Sequence, residues 1–101
     1  MVSQIIWSDG AIDTYNAIIK YLEDEWTDKE INNFATRVSD KLQALQMQPR
    51  MGRLVSKKYK VYRTLVHKRI SLVYRYKPVK KEIELVTFWN NLQDPKRLKY
   101  Q

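Results

Sequence analysis

No cysteine occurs in this chain of 101 residues, so neither a disulfide framework nor thiolate chemistry is open to it. A single histidine excludes a histidine pair for metal binding and any histidine dyad that does not run through His67. Two glycines, Gly10 and Gly52, are too few and too far apart for a phosphate-cradling loop. No apolar run approaches the roughly 20 residues that span a bilayer. The opening, Met1-Val2-Ser3-Gln4-Ile5-Ile6-Trp7, lacks the basic start and long apolar stretch of a signal peptide. These absences lead us to expect a soluble cytoplasmic protein with no membrane association, no metal and no small-molecule cofactor. The length sets one domain over 1–101, with a modest core and a site on a surface or groove.

Acid is missing from one long stretch. Residues 50–81 carry no Asp or Glu but twelve bases: Arg50, Arg53, Lys57, Lys58, Lys60, Arg63, Lys68, Arg69, Arg75, Lys77, Lys80 and Lys81. Residues 1–49 hold four bases against eight acids, and the whole chain is +8. A basic half joined to an acidic half has two faces, one of which suits a polyanion or an acidic partner.

Val2–Trp7 is a short β-like run closed by the turn signal Ser8-Asp9-Gly10. Ile12, Tyr15, Ile19, Leu22 and Trp26 then recur at spacings of three and four, the stripe of a helix over about 9–26. Thr27-Asp28-Lys29-Glu30 is a capping box that opens a second helix, with Trp26 and Ile31 as a hydrophobic staple. Its stripe is Ile31, Phe34, Val38, Leu42 and Leu45, and Pro49 ends it. Residues 49–60 read as a basic loop. Val61–His67, Ile70–Lys77 and Glu82–Trp89 read as strands, with Pro78–Lys81 as a turn. In the middle strand Ile70, Leu72, Tyr74 and Tyr76 are expected to face the helices. Ser71, Val73, Arg75 and Lys77 are expected to face an open side. Ile83 and Leu85 are the inward pair of the last strand. The fold class is therefore α+β, in the order β-α-α-β-β-β, with a helix hairpin on one face of a small, mainly antiparallel sheet.

His67 has the chemistry of a general base near neutral pH. The plainer reading, which we favour, is a strand-end histidine beside Lys68 and Arg69. The basic run has three readings that charge alone does not separate. It neutralises phosphates, with Tyr59 and Tyr62 stacking on bases; it docks an acidic protein segment; or it only keeps the protein soluble. Tyr74, Tyr76, Phe88 and Trp89 are expected to pack in the core or on the sheet.

Four segments in order carry a wider resemblance. They are Trp7-Ser8-Asp9-Gly10-Ala11; Leu42-Gln43-Ala44-Leu45 followed by Pro49-Arg50-Met51-Gly52; Ile70-Ser71-Leu72-Val73-Tyr74-Arg75-Tyr76; and Phe88-Trp89-Asn90-Asn91-Leu92-Gln93-Asp94-Pro95. Together they span nearly the whole chain, which resembles the RelE/ParE superfamily of type II toxin–antitoxin toxins. The resemblance implies a small bacterial toxin held inactive by a cognate antitoxin encoded beside it. RelE-like members cleave mRNA on the ribosome without a metal, and ParE-like members poison DNA gyrase.

Many relatives have an arginine just before the apolar run of the middle strand, where this chain has Ser71. Many have His and Arg where it has Asn90 and Leu92. The resemblance therefore leans to the ParE-like branch: a binding inhibitor with no catalytic residues. The alternative is a RelE-like ribosome-dependent mRNA endoribonuclease, with Arg63, His67 and Arg69 as its candidates. The residues expected to contact a target, gyrase or the ribosome with its mRNA, are Arg63, Arg69, Arg75 and Lys77, with Trp89 and Asn91 beside them. An antitoxin segment is expected across the helix hairpin and the basic sheet edge.

Overall fold

The computed structural model describes residues 3–25, 27–67 and 69–90. Trp26 of the expected staple, Lys68, Asn91 and Leu92 lie outside the described residues. The elements are β1 (Gln4–Trp7), α1 (Asp9–Glu25), α2 (Asp28–Met47), β2 (Arg53–Ser56), β3 (Val61–His67), β4 (Ile70–Lys77) and β5 (Glu82–Asn90). The class and order are those expected, with one addition. The stretch 49–60, read as a loop, contains strand β2. Leu54 and Val55 alone are too short a run to show alternation, and the strand exists because β3 offers it an edge. Arg53 lies opposite Arg63 and Leu54 opposite Tyr62, antiparallel. The sheet order is β1-β5-β4-β3-β2. β1 runs parallel to β5, and the other neighbours are antiparallel.

Local chemistry fixes the helix starts. Thr27 is the N-cap of α2, and its hydroxyl accepts the Glu30 N–H at 3.4 Å. Ser8-Asp9-Gly10, read as a turn, starts α1 instead. The Ser8 hydroxyl accepts the Ala11 N–H at 3.1 Å and donates to the Val86 carbonyl at 3.1 Å. That second bond has a structural purpose. β1 ends opposite Leu85, leaving the rest of the β5 edge without a strand neighbour. α1 takes over that edge: the Ser8 N–H donates to the Leu85 carbonyl at 3.2 Å, and Thr14 Oγ1 accepts the Phe88 N–H at 2.9 Å.

Both helices pack on one face of the sheet, α1 mainly over β5 and α2 over β3. The core joins Leu22, Phe34, Val38 and Leu45 of the helices to Tyr62, Leu72, Tyr74, Ile83, Leu85 and Phe88 of the strands. Tyr15 stands at the centre of a ring cluster, 5.5 Å from Trp7, 5.6 Å from Phe34 and 5.4 Å from Phe88 between centroids.

The other face departs from the expectation of an open surface. Val61 and Val73 are fully buried there, and Ser71 is 3% exposed. Ile70–Tyr74 is a nearly continuous apolar run, the pattern of a strand shielded on both sides rather than one.

Tyr74 ties the chain leaving α2 to the central strand. Its hydroxyl donates to the Pro49 carbonyl at 2.8 Å and accepts the Gly52 N–H at 3.0 Å. A Cβ on Gly52 would stand 2.7 Å from that oxygen, so the close approach requires glycine. Burial, with a smaller contribution from the neighbouring Tyr62, pushes the Tyr74 phenol from 10.0 up to about 12, against the lowering effect of the Gly52 bond.

Two measurements probe these ties. Thr14→Val strips the acceptor from the Phe88 N–H and should lower stability by about 1–3 kcal/mol. Thr14→Ser keeps the hydroxyl and should lose less than about 1 kcal/mol in the same urea titration. Tyr74→Phe should cost about 1–2 kcal/mol at pH 8, since two backbone groups lose their shared partner. The raised pKa means that the folded state keeps a proton the unfolded chain releases above pH 10. The Tyr74 contribution is thus complete below pH 10 and drains away as pH rises toward 12. The gap between wild type and Tyr74→Phe should narrow by about 1.4 kcal/mol at pH 11. A gap independent of pH would contradict this assignment.

Candidate target-binding face of the sheet

β4 alternates strictly, and its cross-strand partners show which side chains share the face away from the helices. Leu65, Ser71 and Trp89 form one row; Arg63 lies opposite Val73; Val61, Arg75 and Glu84 form the next row; Lys77 lies opposite Glu82. Arg53 extends the face through its pairing with Arg63. Four of the expected contact residues, Arg63, Arg75, Lys77 and Trp89, are therefore brought to one face. Arg69 is not brought to them. It is exposed in the β3–β4 turn, six residues from Arg75 along β4, or about 20 Å of extended chain. Asn91 lies outside the described residues.

Two bulges decide what the face contains. In β3 the register shifts between Leu65 and His67, so that His67 pairs with the core residue Ile70. Without the extra residue, His67 would share the parity of Arg63 and Leu65 and join the cations. Instead it is 4% exposed, its ring 6.0 Å from Phe34 and its Nε2 3.7 Å from Glu30 Oε2. His67 is the last residue of β3, the strand end expected, and the bulge adds that its ring is buried under α2. The second bulge shifts the register between β4 and β5 at Val73/Tyr74. It lets both Leu85 and Phe88, three residues apart, face the core, and it turns Trp89 outward opposite Ser71. The Trp89 Nε1 is shielded and has no hydrogen-bond partner among the described residues.

The cations are not all free to meet a ligand. Glu84 Oε1 lies 3.5 Å from Arg75 Nη1 and 3.8 Å from Lys77 Nζ, all three side chains being about a third exposed. Ion pairs of this exposure add little to stability but hold the long side chains in place. Tyr62, offered as a base-stacking platform, is unavailable: it is 9% exposed and stacks on Tyr74 at 5.4 Å. Tyr59 remains exposed, with Lys58 Nζ 5.2 Å from its ring centre. Tyr74 and Phe88 are in the core as expected, and Tyr76 packs against it with Arg50 over its ring at 4.9 Å.

Three concavities flank the sheet among the described residues, one of them, of about 360 Å³, between α2 and β3 and lined by Arg37, Asp40, Lys41, Leu65 and His67. A groove of about 450 Å³ between α1 and the sheet is lined by Ala17, Ile18, Tyr21, Ile70 and Phe88. A pocket of about 280 Å³ opens between the β2–β3 and β4–β5 turns and is lined by Lys58, Tyr59, Lys60, Arg75, Lys77 and Lys80, among others. Sequence reasoning placed the lysines of this pocket in a loop and a turn but did not bring them together. Only the pairing of β3 with β4 does that, through Val61 opposite Arg75.

No helix among the described residues is long and apolar enough to cross a membrane. A comparison with curated protein sequences finds no match. Among solved structures, the chain is similar to the RelBE2 toxin–antitoxin complex from Mycobacterium tuberculosis: 12% identity, 89% of this chain and 99% of that one covered, TM-score 0.62. It is also similar to the heterotetrameric YoeB–YefM toxin–antitoxin complex from Staphylococcus aureus: 14% identity, 86% and 94% covered, TM-score 0.57. Identities this low establish a shared fold. The family model described as the ParE toxin of the type II toxin–antitoxin system, parDE, matches residues 5–95. The chain is a member of the ParE toxin family of type II toxin–antitoxin systems.

Proposed function

We propose that this toxin acts in the cytoplasm by binding its target rather than by cutting RNA, that the target is DNA gyrase, and that a cognate antitoxin neutralises it. The observation that carries the reading is the separation of its one histidine from the cations of the sheet's outer face; the cations that share a pocket with it are Arg37 and Lys41 of α2. Metal-free RNA cleavage needs a proton acceptor and positive charge at the same phosphate. Here His67 lies on the helix face under Phe34, while Arg63, Arg75 and Lys77 lie on the opposite face. Ser71, at the position where ribonuclease relatives carry arginine, is buried and has no positive charge to offer. What the face does present is a half-buried Trp89 on the same side of the sheet as Arg63, Arg75 and Lys77, with the row of Val73 between it and Arg75, a combination suited to protein recognition.

The antitoxin reading is supported by the two solved relatives, both of them toxin–antitoxin complexes. The groove beside α1 offers such a partner an apolar surface, with Tyr21 half exposed at its rim. An amphipathic segment would bury its apolar side there, while the basic sheet draws its acidic side chains and speeds encounter.

Induced expression in bacteria should raise a DNA-damage response, and the purified protein should inhibit DNA supercoiling by gyrase. Cleavage of mRNA in a translating extract would overturn the binding mechanism. Arg75→Gln with Lys77→Gln should relieve growth inhibition by more than about tenfold, while the melting temperature falls by only a few degrees, as exposed ion pairs imply. Neutral substitutions are the cleaner test, because reversal would set two new carboxylates against Glu84. For the antitoxin, Ala17→Arg should weaken binding by at least about tenfold. The association rate should also fall several-fold between low and physiological salt. A rate indifferent to salt would leave the basic face without a part in capture.

A further inference from the structure

The pocket between the two turns has features that a protein-binding face does not require. Both turns end on a lysine in the left-handed region, Lys60 at φ 55° and Lys81 at φ 54°. Glycine or asparagine is the low-strain choice at that position of a hairpin loop, and a lysine there costs on the order of 1 kcal/mol. Two lysines accept that strain at the same end of the sheet. The Lys60 carbonyl accepts the Tyr76 N–H at 3.1 Å, and Lys81 N–H closes its turn onto Pro78 at 3.2 Å, so each conformation is held from within. Around the pocket Glu84 pairs with Arg75 and Lys77, and Glu82 lies opposite Lys77. Lys58, Lys60 and Lys80 form no ion pair with the described residues.

We propose that this end of the sheet binds the phosphate backbone of nucleic acid. Lysine ammonium groups at turn tips are point charges without a fixed fork, which suits phosphates repeated along a polymer better than one carboxylate held bidentately. A volume of about 280 Å³ admits a phosphodiester and its sugar but not a base pair. The wall is completed by the Tyr59 ring, 41% exposed, and by Pro78 and Val79, the latter 96% exposed at the tip of its turn. These supply an apolar surface for a sugar or an unstacked base. The site reads no sequence, because its arginine, Arg75, is held by Glu84, and Lys58, Lys60 and Lys80 are point charges on turns. It stands apart from the identity of the protein target.

Fluorescence anisotropy of the full chain with labelled oligonucleotides of about 20 residues, at salt from about 50 to 200 mM, tests this. Duplex DNA, single-stranded DNA and RNA should all bind, within about tenfold of one another. The triple variant Lys58→Gln, Lys60→Asn, Lys80→Gln should bind at least about tenfold more weakly. It should also lose about 2–3 from the slope of log affinity against log salt. A control of equal charge loss on the helices, Lys20→Gln, Lys29→Gln, Arg37→Gln, should change affinity less than about threefold. Equal losses in the two variants would show an effect of net charge alone and overturn the site. So would failure to bind at the lowest salt, competition by poly-glutamate as strong as that by DNA, or a preference of more than tenfold for one base sequence. Circular dichroism of both variants excludes unfolding as the cause of any loss.

Discussion

Strand β4 keeps perfect alternation while each of its neighbours slips by one residue, and everything on the two faces of the sheet follows from those slips. A bulge reverses the side to which all later residues of a strand point. In β3 the reversal falls between Leu65 and His67, and it carries the imidazole from the cation face into the core. In β5 it falls between Leu85 and Phe88, and it exchanges Phe88 for Trp89 on the outer face. One slip thus removes the only histidine from the reach of Arg63, and the other delivers an indole to the same face. The chemistry available to the molecule is decided by backbone irregularity as much as by composition.

β4 is shielded on both sides, and that places the charge. Val61 and Val73 occupy the middle of the outer face with no exposure, so a cation there would lose its water without gaining a partner. Apart from Arg63, which stands on β3 opposite Val73, the positive side chains of the face gather where the strands run out. Arg75 and Lys77 stand at the end of β4, Lys57–Lys60 and Pro78–Lys81 in the turns beyond it, and Arg69 in the turn at the opposite end. Glu84 sits where the charge begins and pairs with the two cations nearest the buried middle. The acid-free run of residues 50–81 becomes, once folded, a gradient along the sheet.

Much of this was legible in the sequence. The stripe of α2 and the Thr27 cap were read correctly, because they depend on neighbours a few residues away; in α1 Tyr15, Ile19 and Leu22 face the core as expected, but Ile12 is 43% exposed and Ala11 is buried beside it, while Trp26 lies outside the described residues. Alternation in β4 put Leu72 and Tyr74 toward the helices and Arg75 away from them. The exposure of Ser71 and Val73 was misread, although Ile70–Tyr74 shows the unbroken apolar character of a doubly covered strand. β2 was missed because four residues carry too little pattern, and the strand is specified by the free edge of β3. The bulges left a weaker trace. Phe88, at an odd spacing from Ile83 and Leu85, was the one sign that β5 does not keep its parity. Nothing local marks the slip at Leu65–His67, since Val66 and His67 fit either face by composition. Convergence of Lys58, Lys60 and Lys80 required the pairing of distant strands.

The ParE assignment and the placing of His67 apart from Arg63, Arg75 and Lys77 bear on different links of the argument. Fold is shared across toxins of this kind at identities of 12–14%, a range in which the backbone persists while site residues are replaced. Function must therefore be argued from positions. α1 supports this from a direction unrelated to chemistry. By closing the stretch of β5 beyond β1 through Ser8 and Thr14, it removes one place where another strand would add; the edge strands are β1 and β2. The side-chain surfaces open to partners include an apolar groove beside α1, an outer face of mixed indole and cation, and a lysine-lined pocket at the sheet end. Three surfaces of different chemistry on one small sheet give a small toxin room to meet one partner through an apolar groove and another through its basic side.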